Sequence, residues 1–192
     1  MPVLLVVIGS TRPGRIGLPI GRWFAEVARQ HSQFEVRVAD LAELALPLMD
    51  EPHHPRLQKY TKAHTQKWSQ MVDQADAVAL VIPEYNYSMT APVKNALDYL
   101  SREWKYKPVG LVSYGGVSGG LRAAQMVKQA VTALGMMPLP ESVSVAFAGQ
   151  YVKDGVFAAP EAASQAATVM LDELVRWAKA LQVLRQKAAI PS

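Results

Sequence analysis

Residues 3–17 read VLLVVIGSTRPGRIG. The stretch 3–8 is apolar without a break, which is the pattern of a strand buried on both faces of a parallel sheet. Residues 9–17 then combine glycine, hydroxyl and arginine side chains. They lead directly into a helical stripe, with Ile20, Trp23, Phe24 and Val27 at i, i+3, i+4 and i+7. A buried strand, a glycine-rich turn and an amphipathic helix are the opening of a βα unit.

The same alternation runs on through the chain. Val3–Ile8, Phe34–Ala39, Ala77–Ile82, Pro108–Ser113 and about Met137–Val145 read as five strands. Helical stripes cover about Gly17–His31, Leu57–Ala75 and Ala91–Ser101, then Ala124 to Leu134, then Pro160 to near Gln186. Pro92 suits a first helical turn, where no amide donor is needed, and Thr90 before it is of the capping type. The tail 187–192 is expected to fray.

Five strands, each followed by a helix, predict an α/β fold in one domain over 1–192. It is a flavodoxin-like five-stranded parallel sheet, order 2-1-3-4-5, with helices on both faces. A Rossmann arrangement fits less well, because no GxGxxG follows the first strand. In the 2-1-3-4-5 order, ligands bind beyond the carboxyl ends of the strands, where the strand order switches. The loops after strands one, three and four therefore meet, and those are the three unusual loops of this sequence.

Composition narrows the chemistry. The chain has 192 residues, half of them hydrophobic and 19% charged, enough to fold around a core. No apolar run is long enough to cross a bilayer, and Pro2–Ile8 reads as a strand rather than a signal peptide, so a cytoplasmic location is expected. Cysteine is absent, which excludes disulfides, thiol nucleophiles and thiolate metal sites; redox chemistry then needs a bound cofactor. The net charge of +4 is mild and its basic residues are spread out, which argues against nucleic acid and suits a small anion.

Loop 9–17 has the parts of a phosphate cradle. Gly9, Gly14 and Gly17 permit tight turns, Ser10 and Thr11 offer hydroxyls, Arg12 and Arg15 offer charge, and the next helix presents free amides. Gly9 and Gly14 have the spacing of a Walker A motif, but Arg15 and Ile16 stand where it needs Lys and Ser or Thr. The competing reading is a plain βα turn with solvated arginines. Loop 83–92, PEYNYSMTAP, can set backbone groups along the edge of a heterocycle. Loop 113–120, SYGGVSGG, allows backbone to approach a ligand unobstructed and to face an atom that becomes negative on reduction.

GSTRPGRIG at 9–17, PEYNYSMTAPVKNALDYLS at 83–101 and SYGGVSGG at 113–120 closely resemble the NADPH-dependent FMN reductase family, which includes flavin, quinone, azo-dye and chromate reductases. The resemblance runs to about residue 145. It implies that Ser10, Arg12, Arg15, Ile16 and Gly17, with Thr11 beside them, surround the FMN phosphate. It sets Pro83, Glu84, Tyr85 and Asn86 along the ring and ribityl chain, largely through backbone atoms. It sets Ser113, Gly115, Gly116 and Ser118 at the pyrimidine end. NADPH or NADH would deliver hydride to the flavin N5 with no catalytic side chain, and a small acceptor would then take its turn in a ping-pong cycle. A homodimer or homotetramer is implied. Two competing readings are a flavodoxin-type electron carrier, which the positive charge disfavours, and an FMN-binding sensor.

Other residues have plainer readings. His53 and His54, near Asp50 and Glu51, lack metal-ligand spacing and read as a mobile loop, a candidate lid over the flavin edge. His64 reads as a partly buried packing residue. Glu84 is not needed as a general base. Lys94 and Asp98 form an i, i+4 pair. Trp104 and Tyr106 either line a partner's pocket or cover the sheet edge, and Arg102 is an interface ion-pair partner or solvated.

Overall fold

Strands without polar residues must be covered on both sides, and here they are. The structure is a computed structural model that describes residues 1–188; residues 189–192, the end of the tail expected to fray, lie outside the described residues. In chain order the elements are β1 Val3–Ile8, α1 Gly17–His31, β2 Glu35–Asp40, α2 Leu41–Leu44, α3 Ala63–Asp73, β3 Ala77–Pro83 and α4 Ala91–Asp98. Then come β4 Pro108–Tyr114, α5 Leu121–Ala133, β5 Met137–Val145, β6 Val152–Lys153, β7 Val156–Phe157 and α6 Glu161–Ala188. The five long strands form one parallel sheet in the order β2-β1-β3-β4-β5, as expected.

Alternate side chains of β1 enter two cores. Leu4 and Val6 pack with Ile20 and Phe24 of α1 and with Met170, Leu171 and Leu174 of α6. Leu5 and Val7 pack with Trp68 of α3, Val93 of α4 and Val127 of α5. Trp104 belongs to this second core: it is buried, lies edge-on to Trp68 at 5.8 Å, and donates to the Leu97 carbonyl at 3.1 Å. Tyr106 stays at the surface, with its amide donating to the Gly135 carbonyl at 2.8 Å.

The largest departure from expectation is the segment before α3. A helix over 57–75 fits the apolar spacing, yet α3 begins only at Ala63. The Glu51 carboxylate accepts from the Thr61 amide at 2.8 Å and the Lys62 amide at 2.9 Å, which fixes the chain ahead of the helix. Burial would raise the Glu51 pKa, but those bonds outweigh it and hold it at about 2. The neighbouring loop, read as a mobile lid, is anchored instead. Asp50 bonds His64 at 2.9 Å and accepts from the Tyr99 hydroxyl at 3.0 Å. Asn95 of α4 donates to the Pro47 carbonyl at 2.7 Å and accepts from the Met49 amide at 3.0 Å. His54 accepts from the Arg56 amide at 3.1 Å, a local cap. Among the described residues, no group of three or more His, Cys, Asp or Glu side chains gathers as a metal site.

Candidate functional site

The loops after β1, β3 and β4 are stitched together at the carboxyl end of the sheet. The Gly9 amide donates to the Val81 carbonyl at 2.9 Å. Thr90 occupies the cap position of α4, but its hydroxyl turns away from the helix and donates to the Gly9 carbonyl at 3.0 Å. The Glu84 amide donates to the Tyr114 carbonyl at 3.2 Å.

Within loop 9–17, Thr11, Arg12, Pro13 and Gly14 are exposed. Arg15 is not. Its guanidinium grips the Asp40 carboxylate through two bonds of 2.5 and 2.6 Å and also donates to the Ser10 carbonyl at 2.5 Å. That pairing raises the Arg15 pKa against the cost of its burial. Asp40 ends β2, and β2 lies beside β1, so strand order brings the acid to the loop. Asp40 also accepts from the Ala42 amide at 3.0 Å and so starts α2. Arg15 thus holds the shape of the cradle, while Arg12 lies at its open surface.

Two buried hydroxyls converge beneath the loop. Ser10 is 2% exposed and Tyr114 3%; their hydroxyls face each other, and beyond that contact neither Ser10 Oγ nor Tyr114 Oη has a hydrogen-bond partner. Both crowd Gly17, the first residue of α1: a Cβ there would lie 2.1 Å from Tyr114 Oη and 2.2 Å from Ser10 Oγ. Only glycine fits between them. Burial pushes the Tyr114 phenol up to about 12, so at neutral pH it is a proton donor. The helix start adds amides without a side-chain cap, since its cap residue is Ile16. Buried donors are normally paired. Unpaired ones at the positive end of a 15-residue helix are what a phosphate monoester satisfies, so the residues present fit the FMN phosphate.

Loop 83–92 is a tight hairpin. Tyr85 and Ser88 exchange backbone bonds of 3.0 and 2.9 Å, with Asn86 and Tyr87 both left-handed at φ 50° and 67°. Such a turn normally takes Asn or Gly at both central positions, so Tyr87 is held there against its preference. The clamp is visible. Glu84 reaches across to the start of α5, accepting from the Arg122 amide at 3.0 Å and its Nε at 2.6 Å. Arg122 in turn lies 3.9 Å above the Tyr87 ring. Burial opposes Glu84 ionisation, yet bonds from Ser118 and Arg122 hold its carboxyl below the usual range. Glu84 is an anchor for the loop.

The serines of loop 113–120 also brace its own backbone. Ser113 Oγ donates to the Gly119 carbonyl at 2.9 Å, and Ser118 Oγ accepts from the Gly120 amide at 3.3 Å. Gly116 faces open space: a Cβ there would meet nothing within 4 Å. The chain after β5, which sequence reasoning passed over, completes this corner. Phe147 donates its amide to the Gly116 carbonyl at 2.9 Å and is 56% exposed, near the exposed Val117. No spacing signal marks Phe147. Tyr114 had one: a phenol ending a buried strand just before a glycine loop.

These features define a flavodoxin-like fold with a hydroxyl- and amide-lined helix start and an open, amide-rich corner at one end of the sheet. The NADPH-dependent FMN reductase family matches residues 2–150, and the chain belongs to that family. It is an oxidoreductase of the FMN-dependent, NAD(P)H-using kind. The chain is 39% identical to an NAD(P)H-dependent FMN reductase of Schizosaccharomyces pombe over 127 residues, 65% of this chain and 64% of that protein, just under two thirds of its length. It is 34% identical to an NADPH azoreductase of a Bacillus species over 155 residues, 79% of this chain and 80% of that one. Its fold is similar to the solved structure of FerB, a flavoenzyme NAD(P)H:(acceptor) oxidoreductase from Paracoccus denitrificans. There the TM-score is 0.73 at 23% identity, covering 94% of this chain and 98% of the other.

Proposed function

We propose that the chain passes reducing equivalents from NADPH or NADH, by way of FMN, to a small acceptor. The acceptor is a quinone, a free flavin, an azo compound or a metal oxyanion, and donor and acceptor occupy one site in turn. The single observation that carries the reading is the convergence of two buried hydroxyls, Ser10 and Tyr114, with no partner beyond each other, on the start of α1. Bound FMN supplies the hydride-accepting ring. Ser10, Thr11, Arg12, Ile16 and Gly17 hold its phosphate, and Arg15 fixes the loop through Asp40. Backbone of Pro83, Glu84, Tyr85 and Asn86 follows the ring edge, held by the Glu84–Arg122 clamp. Backbone of Ser113, Gly115, Gly116 and Ser118 borders its pyrimidine end.

Beyond that corner stand the exposed side chains of Tyr85, Tyr87, Val117 and Phe147. They form an apolar rim suited to a flat nicotinamide or a flat acceptor. Relatives named as quinone reductase of Pseudomonas putida and as NADPH azoreductase support that acceptor class. The protein works as a homodimer or homotetramer in the cytoplasm, and no described helix is long and apolar enough to cross a membrane. Steady-state rates at several fixed quinone concentrations test the shared site. Parallel double-reciprocal lines are expected; intersecting lines contradict it.

A further inference from the structure

We infer that Tyr114 is a phosphate ligand: its phenol and the Ser10 hydroxyl form a donor pair that grips the monophosphate tail of the cofactor at the start of α1. The inference rests on the FMN reading above and deepens it. It assigns a side chain from β4, two strands away from β1 in the sheet, to a site otherwise built from the loop after β1.

The geometry is specific. Tyr114 is the last residue of β4, and its ring lies in the core beneath α1 and α6 with Val112 and Val145. A phenylalanine would fill that core equally well and without an unpaired hydroxyl. The oxygen ends at Gly17, among the first amides of α1, close to Ser10 Oγ. Beyond each other, neither oxygen has a partner. A buried hydroxyl without a partner destabilises the protein that carries it. A phosphate oxygen accepts from both hydroxyls and from the helix amides together, and charge strengthens each bond. Arg15 does not compete for that place, because its guanidinium is held by Asp40.

The pair therefore has opposite effects with and without ligand. Tyr114→Phe tests this in the full chain stripped of nucleotide, by measuring thermal midpoint and the dissociation constants for FMN, riboflavin and inorganic phosphate. The variant should melt at or above the parent when empty and below it when saturated with FMN. Its FMN dissociation constant should rise about ten-fold, equivalent to about 1.4 kcal/mol. Riboflavin, which lacks the phosphate, should bind both proteins alike, and phosphate should protect the parent more than the variant. Equal weakening toward FMN and riboflavin overturns the proposal, because the loss then lies at the ring. So does a lower empty midpoint with unchanged FMN affinity, the result if the two hydroxyls merely bond each other. A parent that ignores FMN but is protected by phosphate through Tyr114 sinks the FMN reading alone.

Discussion

The two ends of the central sheet treat their polar groups in opposite ways. At the amino end, the charged groups that leave water find hydrogen-bond partners within the fold. Lys107, 3% exposed, donates to the Val72 carbonyl and to the Asp73 carbonyl at 3.1 Å, closing the end of α3. Asp76 accepts from the Val3 amide at 2.9 Å and from Arg185 at 2.9 Å, and Glu103 accepts from Ser69 Oγ at 2.7 Å. A cavity of about 530 Å³ opens among these groups, larger than any described near the loops, and Asp76, Glu103, Lys107 and Arg185 on its walls are each hydrogen-bonded within the fold. At the carboxyl end, the Ser10 and Tyr114 hydroxyls gather beside Gly17 with no partner beyond each other, and the two central residues of one hairpin, Asn86 and Tyr87, are both left-handed. The volume of a cavity says less about function than the state of the donors around it. Paired groups hold the fold together, and buried hydroxyls gathered at the free amides of a helix start are suited to a ligand.

The contrast breaks first at Asp40, a structural pair lodged at the functional end. Asp40→Ala strands Arg15 and should cost about 3 kcal/mol of unfolding free energy, with a loss of FMN affinity as the loop loosens; denaturant melts and flavin titration read both. Glu103→Ala, at the amino end, should cost about 2 kcal/mol and leave the FMN affinity of the folded protein untouched. A change in flavin binding there would mean that the two ends are coupled.

Lys107 gives the paired end its own pH dependence. Burial lowers its pKa from 10.5 to about 8, so between those values the unfolded chain binds more protons than the folded one. Stability therefore rises as pH climbs from about 8, a slope that Lys107→Met should remove in thermal melts. The smallest effect belongs to Tyr87. Tyr87→Ala removes the ring under Arg122 and should cost about 0.5 kcal/mol of stability, while raising KM for a flat acceptor. An unchanged KM would take the ring out of the acceptor's path.

The sheet was legible because its signal is local. The run at 3–8 and those at 77–82 and 108–113 announce buried parallel strands without reference to anything distant. Their order then brings three loops together, and the family resemblance names what they hold. The roles of single side chains depend on contacts across the sheet. Arg15 has the look of a phosphate ligand in the sequence, whereas its pairing with Asp40 of β2 depends on a residue 25 positions later. The backbone of Glu84 reads as a ring neighbour, but that its carboxylate anchors the loop depends on the amides of α5, 38 residues later. The loop at 46–55 reads as mobile from its prolines and histidines, whereas Asp50, Glu51 and Asn95 tie it to α3 and α4. The short elements α2, β6 and β7 are too brief to carry a periodic signal.

An anaerobic spectral titration bears most directly on the central claim. FMN is added to the purified full chain, the unbound excess is removed, and NADPH follows in small steps. The account predicts a yellow protein with one flavin per chain that bleaches in proportion to the donor and regains its colour when a quinone is supplied. A chain that stays colourless in excess FMN, or a bound flavin that NADPH leaves yellow, contradicts it.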